Sequence, residues 1–253
     1  MRVVSLASGS KGNAYLVEHC GEALLIDCGV CYKKLKGVEF SAVIVTHSHS
    51  DHVCGLPTLL KHRDVPVFAN AMTAEATACE CGVPEDAFVC FENGQSFDIG
   101  PFSVSPFSIP HDTSDPVGFL VSAGGETYFH GTDIGTPLDS IGLKLAEADF
   151  ATLESNHDPV LLRQSGRHPS LIQRIAGPRG HLSNDQACEL VRRFASPRLK
   201  SLALAHLSRD CNVPRIAEEA MRSTLMEMGR GDVVLKVLSQ DETIEVEGWK
   251  VEG

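Results

Sequence analysis

Short apolar runs separated by glycine-containing turns open the chain. Residues 2–6, 14–18 and 23–27 are rich in Val, Leu and Ile, which predicts three strands. Ala42-Val43-Ile44-Val45-Thr46 is the clearest buried strand, and it runs straight into a histidine-rich segment. Val53 to His62 then reads as a helix, with Asp51 and His52 at its start. A strand at 65–69 precedes a helix at 71–81, and strands follow at 102–109, 117–122 and 126–130. After about residue 137 helical patterns prevail, at 138–147, 169–176, 184–195 and 213–228. Short strands at 149–153, 201–205 and 233–237 alternate with them, and 243–247 reads as an edge strand.

Strands thus crowd the first half and mixed β/α units the second. Two sheets packed face to face with helices outside satisfy that order, so the expected fold is α/β, a four-layer αββα sandwich. No long linker, low-complexity segment or short-period repeat interrupts it, and a single domain over residues 1–253 is expected.

Composition narrows the class. A chain of 253 residues can bury a core without covalent staples. No run of about 18 apolar residues occurs, so no membrane-spanning helix is predicted. Met1-Arg2-Val3-Val4-Ser5-Leu6 reads as a strand and not as a secretory signal. The nine cysteines are an odd number, which with that reading favours reduced thiols and a cytoplasmic setting. Cys28 and Cys31 have redox-motif spacing, and Cys79 and Cys81 form another close pair. Neither has a second pair to complete a four-cysteine metal site, and buried core thiols are the plainer explanation. A net charge of -11 argues against nonspecific coating of nucleic acid, though not against local phosphate grip.

The segment His47-Ser48-His49-Ser50-Asp51-His52 carries the strongest chemistry. Neutral imidazoles with a carboxylate suit a borderline or hard divalent ion and leave room for water. A solubilising surface tract would not need the apolar strand before it. Six residues cannot enclose two ions, so partners must come from elsewhere. His111, Asp133 and His206 each lie just past a predicted strand, the edge where α/β sheets assemble sites. Any one of them alone is more often a cap or turn residue; the recurrence favours ligands. His181 precedes a helix and serves either as a helix-start residue or as a proton donor or substrate contact. Glu154 is either part of a polar turn or the acid that fixes a histidine tautomer.

One further window stands out against the acidic background. From Pro159 through Asn184 no acidic residue occurs, while Arg163, Arg167, Arg174 and Arg179 do. Guanidinium groups match phosphate oxygens, and a solvated helical face or internal ion pairs are the competing explanation.

Together these residues resemble the metallo-β-lactamase superfamily, whose His-x-His-x-Asp-His signature is intact as His47, His49, Asp51 and His52. The later motifs match at His111, Asp133 and His206, and the likeness runs from residue 2 to about residue 237. Within the superfamily the chain looks like the bacterial YycJ/WalJ-like group. The matching stretches are Leu6 to Asn13, Glu154 to Asp158, Gly180 to Asn184 and His206 to Asn212. The resemblance implies a two-metal phosphodiester hydrolase using Zn or Mn, with a 5′-to-3′ DNA exonuclease role. By motif, His47, His49 and His111 would hold one ion and Asp51, His52 and His206 the other, with Asp133 bridging. It also implies that His181 assists catalysis, with Glu154 as its supporting acid, and that Asp51 orients the attacking water. The long arm of tRNA 3′-processing relatives is missing, as are the extra domains of large RNA-degrading ones. Secreted β-lactamases have a ligand cysteine where Asp133 stands. The alternative on the same fold is a small-molecule ester, thioester or cyclic phosphodiester hydrolase. An arginine-lined groove would favour the nuclease, and a closed lid the alternative.

Overall fold

The computed structural model describes residues 1–246; residues 247–253, including the last position of the predicted strand 243–247, lie outside the described part. The first half holds strands β1 (Arg2–Ala7), β2 (Ala14–His19), β3 (Glu22–Ile26), β4 (Ala42–Ile44), β5 (Val67–Asn70) and β6 (Phe88–Phe91). Among them lie helices α1 (Tyr32–Leu35), α2 (Ser50–Val53), α3 (Leu56–His62) and α4 (Ala71–Cys81). The second half opens with β7 (Phe97–Ile99), β8 (Phe102–Ser108), β9 (Val117–Ala123) and β10 (Glu126–Gly131). It continues through α5 (Asp139–Leu145), β11 (Phe150–Glu154), α6 (Pro159–Gln164), α7 (Pro169–Ala176) and α8 (Asn184–Phe194). Last come β12 (Ser201–Ala205), α9 (Pro214–Glu227), β13 (Val234–Val237) and β14 (Ile244–Val246).

Among the described residues the strands form two seven-stranded sheets, ordered β14-β1-β2-β3-β4-β5-β6 and β13-β12-β11-β10-β9-β8-β7. Short turns join β1 to β2 to β3 and β7 to β8 to β9 to β10, which makes those neighbours antiparallel. The longer connections from β3 to β6 and from β10 to β13 give parallel pairs. The inner faces interdigitate: Val3, Tyr15 and Ile26 share one core with Val104, Phe119 and Tyr128. A second core packs α5, α8 and α9 on the outside of one sheet, and a third packs α3 and α4 on the other. The result is the expected four-layer αββα sandwich.

Several element boundaries follow local chemistry. Asn70 caps α4 by accepting from Thr73 N at 2.8 Å, and Gly82 ends it at a left-handed φ of 67°. Ser183 and Gln186 form a full capping box that starts α8. The single helix expected at 53–62 is instead two, α2 and α3. The break has two causes. Pro57 lacks the N–H that would continue the helical ladder, and Gly55 packs where a Cβ would lie 2.2 Å from Val30 O. Strands β6 and β7, not expected from the sequence, lie at sheet edges; Val89 and Cys90 of β6 are exposed, so no clean apolar alternation marks it.

Candidate metal centre

The polar residues that gather between the sheets leave from the same ends of the strands. Asp27 follows β3, His47 to His52 follow β4, His111 follows β8, Asp133 follows β10 and His206 follows β12, while Glu154 ends β11. Three of these positions take left-handed backbone without being glycine: Asp27 at φ 60°, Asp133 at 59° and His206 at 54°. Such conformations cost about 1 kcal/mol or more each and concentrate where a chain must turn a side chain into a site. Here they end a strand and send its next residue inward.

All seven expected ligands converge. The ligand atoms of His47, His49 and His111 lie within 4.8 Å of one another, as do those of Asp51, His52 and His206. Asp133 stands between the two groups, with Oδ2 3.2 Å from His52 Nε2 and Oδ1 3.6 Å from His111 Nε2 and 3.4 Å from His206 Nδ1. His181 and Glu154 join it on the side of His206.

The ring nitrogens are oriented from behind. His52 Nδ1 is 2.7 Å from Asp27 Oδ2, and Asp27 also accepts from Thr46 N. His47 Nδ1 lies 3.0 Å from Thr46 Oγ1, and His111 Nδ1 2.9 Å from Gly180 O. Glu154 Oε1 is shared by His181 Nδ1 at 2.8 Å and His206 Nδ1 at 3.0 Å. Its Oε2 accepts from Ile134 N and Leu182 N, which fixes the carboxylate in place. Asn13 Nδ2 reaches Asp51 Oδ2 at 3.2 Å and His52 Nε2 at 3.0 Å, and Ser8 Oγ accepts from His206 N.

Electrostatics fit the same picture. Burial, with neighbouring histidines, keeps His47 well below the ordinary histidine value and therefore neutral. Burial opposes charge on His206 too, but Asp133, Asp51 and Glu154 push it up to about 10. Burial also works against ionised Glu154, yet His181 and His206 bring it down to about 2. The negative potential that holds a proton on His206 favours a divalent cation equally. His47 Nε2, His206 Nε2 and Asp133 Oδ2 are buried with no hydrogen-bond partner, each at a cost of about 1–3 kcal/mol. Imidazole nitrogens and carboxylate oxygens unpaired at one point are the donor set of a two-metal site, so the residues fit such ions.

A cleft of about 220 Å³ opens over the cluster. Asp51, Asp133, His181 and His206 form part of its floor, and Arg167 and Arg174 stand at its mouth. Arg167 is paired with Asp210 at 2.8 Å, and Arg174 with Asp112. The other two arginines of the acid-free window are placed differently. Arg179 donates to the backbone oxygens of His111 and Thr113 and borders a neighbouring depression, and Arg163 is exposed and does not line the cleft. Asp27, Asn13 and Ser8 are site residues that the sequence did not single out. Asp27 shares the strand-end placement of the ligands, a signal that was available; Asn13 and Ser8 lie in the Leu6 to Asn13 stretch that matches the family, which gave neither of them a role.

A two-sheet sandwich with a histidine- and carboxylate-lined centre at the strand ends defines a metallo-β-lactamase-fold hydrolase. The beta-lactamase superfamily domain matches residues 25–204, and the chain belongs to that family. It is a metal-dependent hydrolase, and its relatives narrow the comparison. The chain is 32% identical over 237 residues to exodeoxyribonuclease YycJ of Bacillus anthracis, covering 89% of each. It is 30% identical over 238 residues to exodeoxyribonuclease WalJ of Streptococcus pneumoniae serotype 2, covering 89% of this chain and 88% of that one. The metallo-β-lactamase fold protein YhfI of Bacillus subtilis superposes with a TM-score of 0.73 at 18% identity, covering 96% of this chain and 98% of that one. Among the described residues no helix is long and apolar enough to cross a membrane.

Proposed function

We propose that the chain is a two-metal phosphodiesterase acting on nucleic acid, with DNA favoured and degradation running from the 5′ end. The observation that carries it is the cleft: an imidazole and carboxylate floor beneath two arginines at the mouth. The exodeoxyribonuclease names of relatives matched over 89% of the chain support DNA and the exonuclease mode. In this proposal residues 1–253 act as one hydrolase domain. The nine free thiols favour a reducing compartment, the cytoplasm.

His47, His49 and His111 would hold one ion, Asp51, His52 and His206 the other, and Asp133 both. Zinc and manganese each suit these donors. Two such ions supply Lewis acidity at the phosphoryl group and lower the pKa of an attacking water. The protein's own groups do the rest. Asp51, brought down to about 2 against the effect of burial by His52 and His206, is ionised and orients the water as an acceptor. His181 bonds Glu154 through Nδ1, which leaves Nε2 available to the cleft. Burial opposes its charge, but Glu154 raises its pKa, so the ring retains a proton to give to the leaving oxygen. Arg167 and Arg174 take phosphates flanking the scissile bond.

The test offers purified protein with Mn²⁺ or Zn²⁺ single- and double-stranded DNA and RNA, labelled separately at each end. Bis-p-nitrophenyl phosphate, a cyclic nucleotide and a thioester run in parallel, with His47→Ala as the contamination control. Metal-dependent shortening from the 5′ end that vanishes in the variant is expected. Rapid thioester or cyclic-nucleotide turnover with polynucleotides untouched would promote the small-molecule hydrolase instead.

A further inference from the structure

Four of the five histidines assigned to metal have the ring nitrogen that faces away from the cluster anchored. His47 Nδ1 meets Thr46 Oγ1, His52 Nδ1 meets Asp27, His111 Nδ1 meets Gly180 O and His206 Nδ1 meets Glu154. His49 differs. Its Nδ1 lies 3.2 Å from His111 Nε2 and so belongs to the ligand side. An imidazole that coordinates through Nδ1 carries its proton on Nε2, and that N–H needs an acceptor. Asp112 Oδ1 lies 3.7 Å from His49 Nε2 and 3.5 Å from His111 Nε2, close enough to attract both rings but too far for a hydrogen bond to His49. The other oxygen of the same carboxylate, Oδ2, accepts from Arg174 Nε at the mouth of the cleft.

We propose that Asp112 is a positioning residue shared by the metal centre and the phosphate clamp: it fixes the His49 tautomer for the first ion and holds Arg174 ready for substrate. This rests on the ligand assignment proposed above. A substrate phosphate that draws Arg174 away frees the carboxylate to close the 3.7 Å gap to His49. Phosphate capture thereby tightens the first ion site. An ordinary surface ion pair would not behave so. Arg174 is 63% exposed, and a pair of that kind contributes little to stability.

The experiment titrates Mn²⁺ calorimetrically into metal-stripped wild type, Asp112→Asn, Asp112→Ser and Arg174→Ala, without substrate, and follows thermal unfolding of each. Wild type should bind two ions. Both Asp112 variants should keep one ion at wild-type affinity and weaken the other about 10- to 100-fold, the usual effect of losing such a support. Arg174→Ala, which frees the carboxylate as a phosphate would, should bind two ions with one held more tightly than in wild type. It should also raise KM for a single-stranded oligonucleotide with kcat less affected. An unchanged first-site affinity in this variant overturns the coupling. Unchanged affinity for both ions in the Asp112 variants overturns the proposal. So does equal loss of both ions in Asn and Ser variants, since a general collapse and not His49 would then be responsible. Wild type binding fewer than two ions overturns the ligand assignment itself. Two ions bound with no polynucleotide cut would sink the nuclease proposal and leave the role of Asp112 toward His49 standing.

Discussion

Glu154 is fully buried, and a single one of its oxygens serves two histidines in different surroundings. His206 turns its other nitrogen to Asp51 at 3.4 Å, within the ligand cluster, whereas His181 is 21% exposed and opens to the cleft. A buried carboxylate with both oxygens occupied is a rigid support, so the two rings are held in fixed orientations, as the proposed division between ion binding and proton delivery requires. His181→Ala should therefore retain metal content while turnover on an oligonucleotide, whose leaving alkoxide needs the proton, falls about 10²–10⁴-fold. Asp133→Ala should lose ions and activity together, because its carboxylate stands between the two histidine groups. Elemental analysis beside kcat decides it; stoichiometric metal loss in the His181 variant would show that the ring is a ligand. At this scale much was legible. The spacing His47-x-His49-x-Asp51-His52 and the strand-end positions of His111, Asp133 and His206 marked the residues that the fold gathers. The supports were harder to see, since Thr46, Asn13 and Gly180 act partly or wholly through backbone atoms and their types are common in turns.

The ligand loop is strapped down by backbone, and the straps explain why one predicted helix became two. Asn13 N donates to Asp51 O, Cys28 N to His52 O, Gly55 N to Cys28 O and Gly29 N to Asn13 O. Four bonds of 2.7–2.9 Å thus tie the turns after β1 and β3 to α2 and the residue that opens α3. Such approach requires residues without side chains. A Cβ on Gly29 would sit 1.6 Å from Asp51 O, and one on Gly55 2.2 Å from Val30 O. Periodicity reports only local preference, so a tertiary contact of this kind is invisible to it even though Gly55 and Pro57 were in plain view. Gly29→Ala should push α2 and its ligands out of place. The expected cost is about 1–3 kcal/mol, as for overpacked interiors, with weakened binding of the ion held by Asp51 and His52. Denaturant unfolding paired with metal titration measures both. A variant that melts lower yet binds both ions at wild-type affinity would show that the straps stabilise the fold without positioning the site.

Across the whole molecule, charge is spent unevenly. The chain carries a net charge of -11, so a polyanionic substrate meets general repulsion and gains attraction only where cations are concentrated. The acid-free stretch from Pro159 to Asn184 located that concentration, because α7, the loop before it and the turn before α8 line the cleft. It did not show which arginines face inward, since that depends on how two short helices settle against loops from distant parts of the chain. Arg167 and Arg174 reach the mouth, and each is held by one carboxylate that a phosphate can replace. Arg179 is committed to backbone oxygens, and Arg163 stands outside the cleft. The difference is measurable through counterion release, which scales as about 0.7 per phosphate neutralised on a single strand. Two engaged arginines predict that log affinity for a single-stranded oligonucleotide falls against log salt with a slope no steeper than about -1.4, whereas four would approach about -2.8. Binding is measured by fluorescence anisotropy with catalysis disabled in the His181→Ala variant. A slope near the steeper value would place Arg163 and Arg179 on the substrate path and require that α6 and the Arg179 loop move when nucleic acid binds.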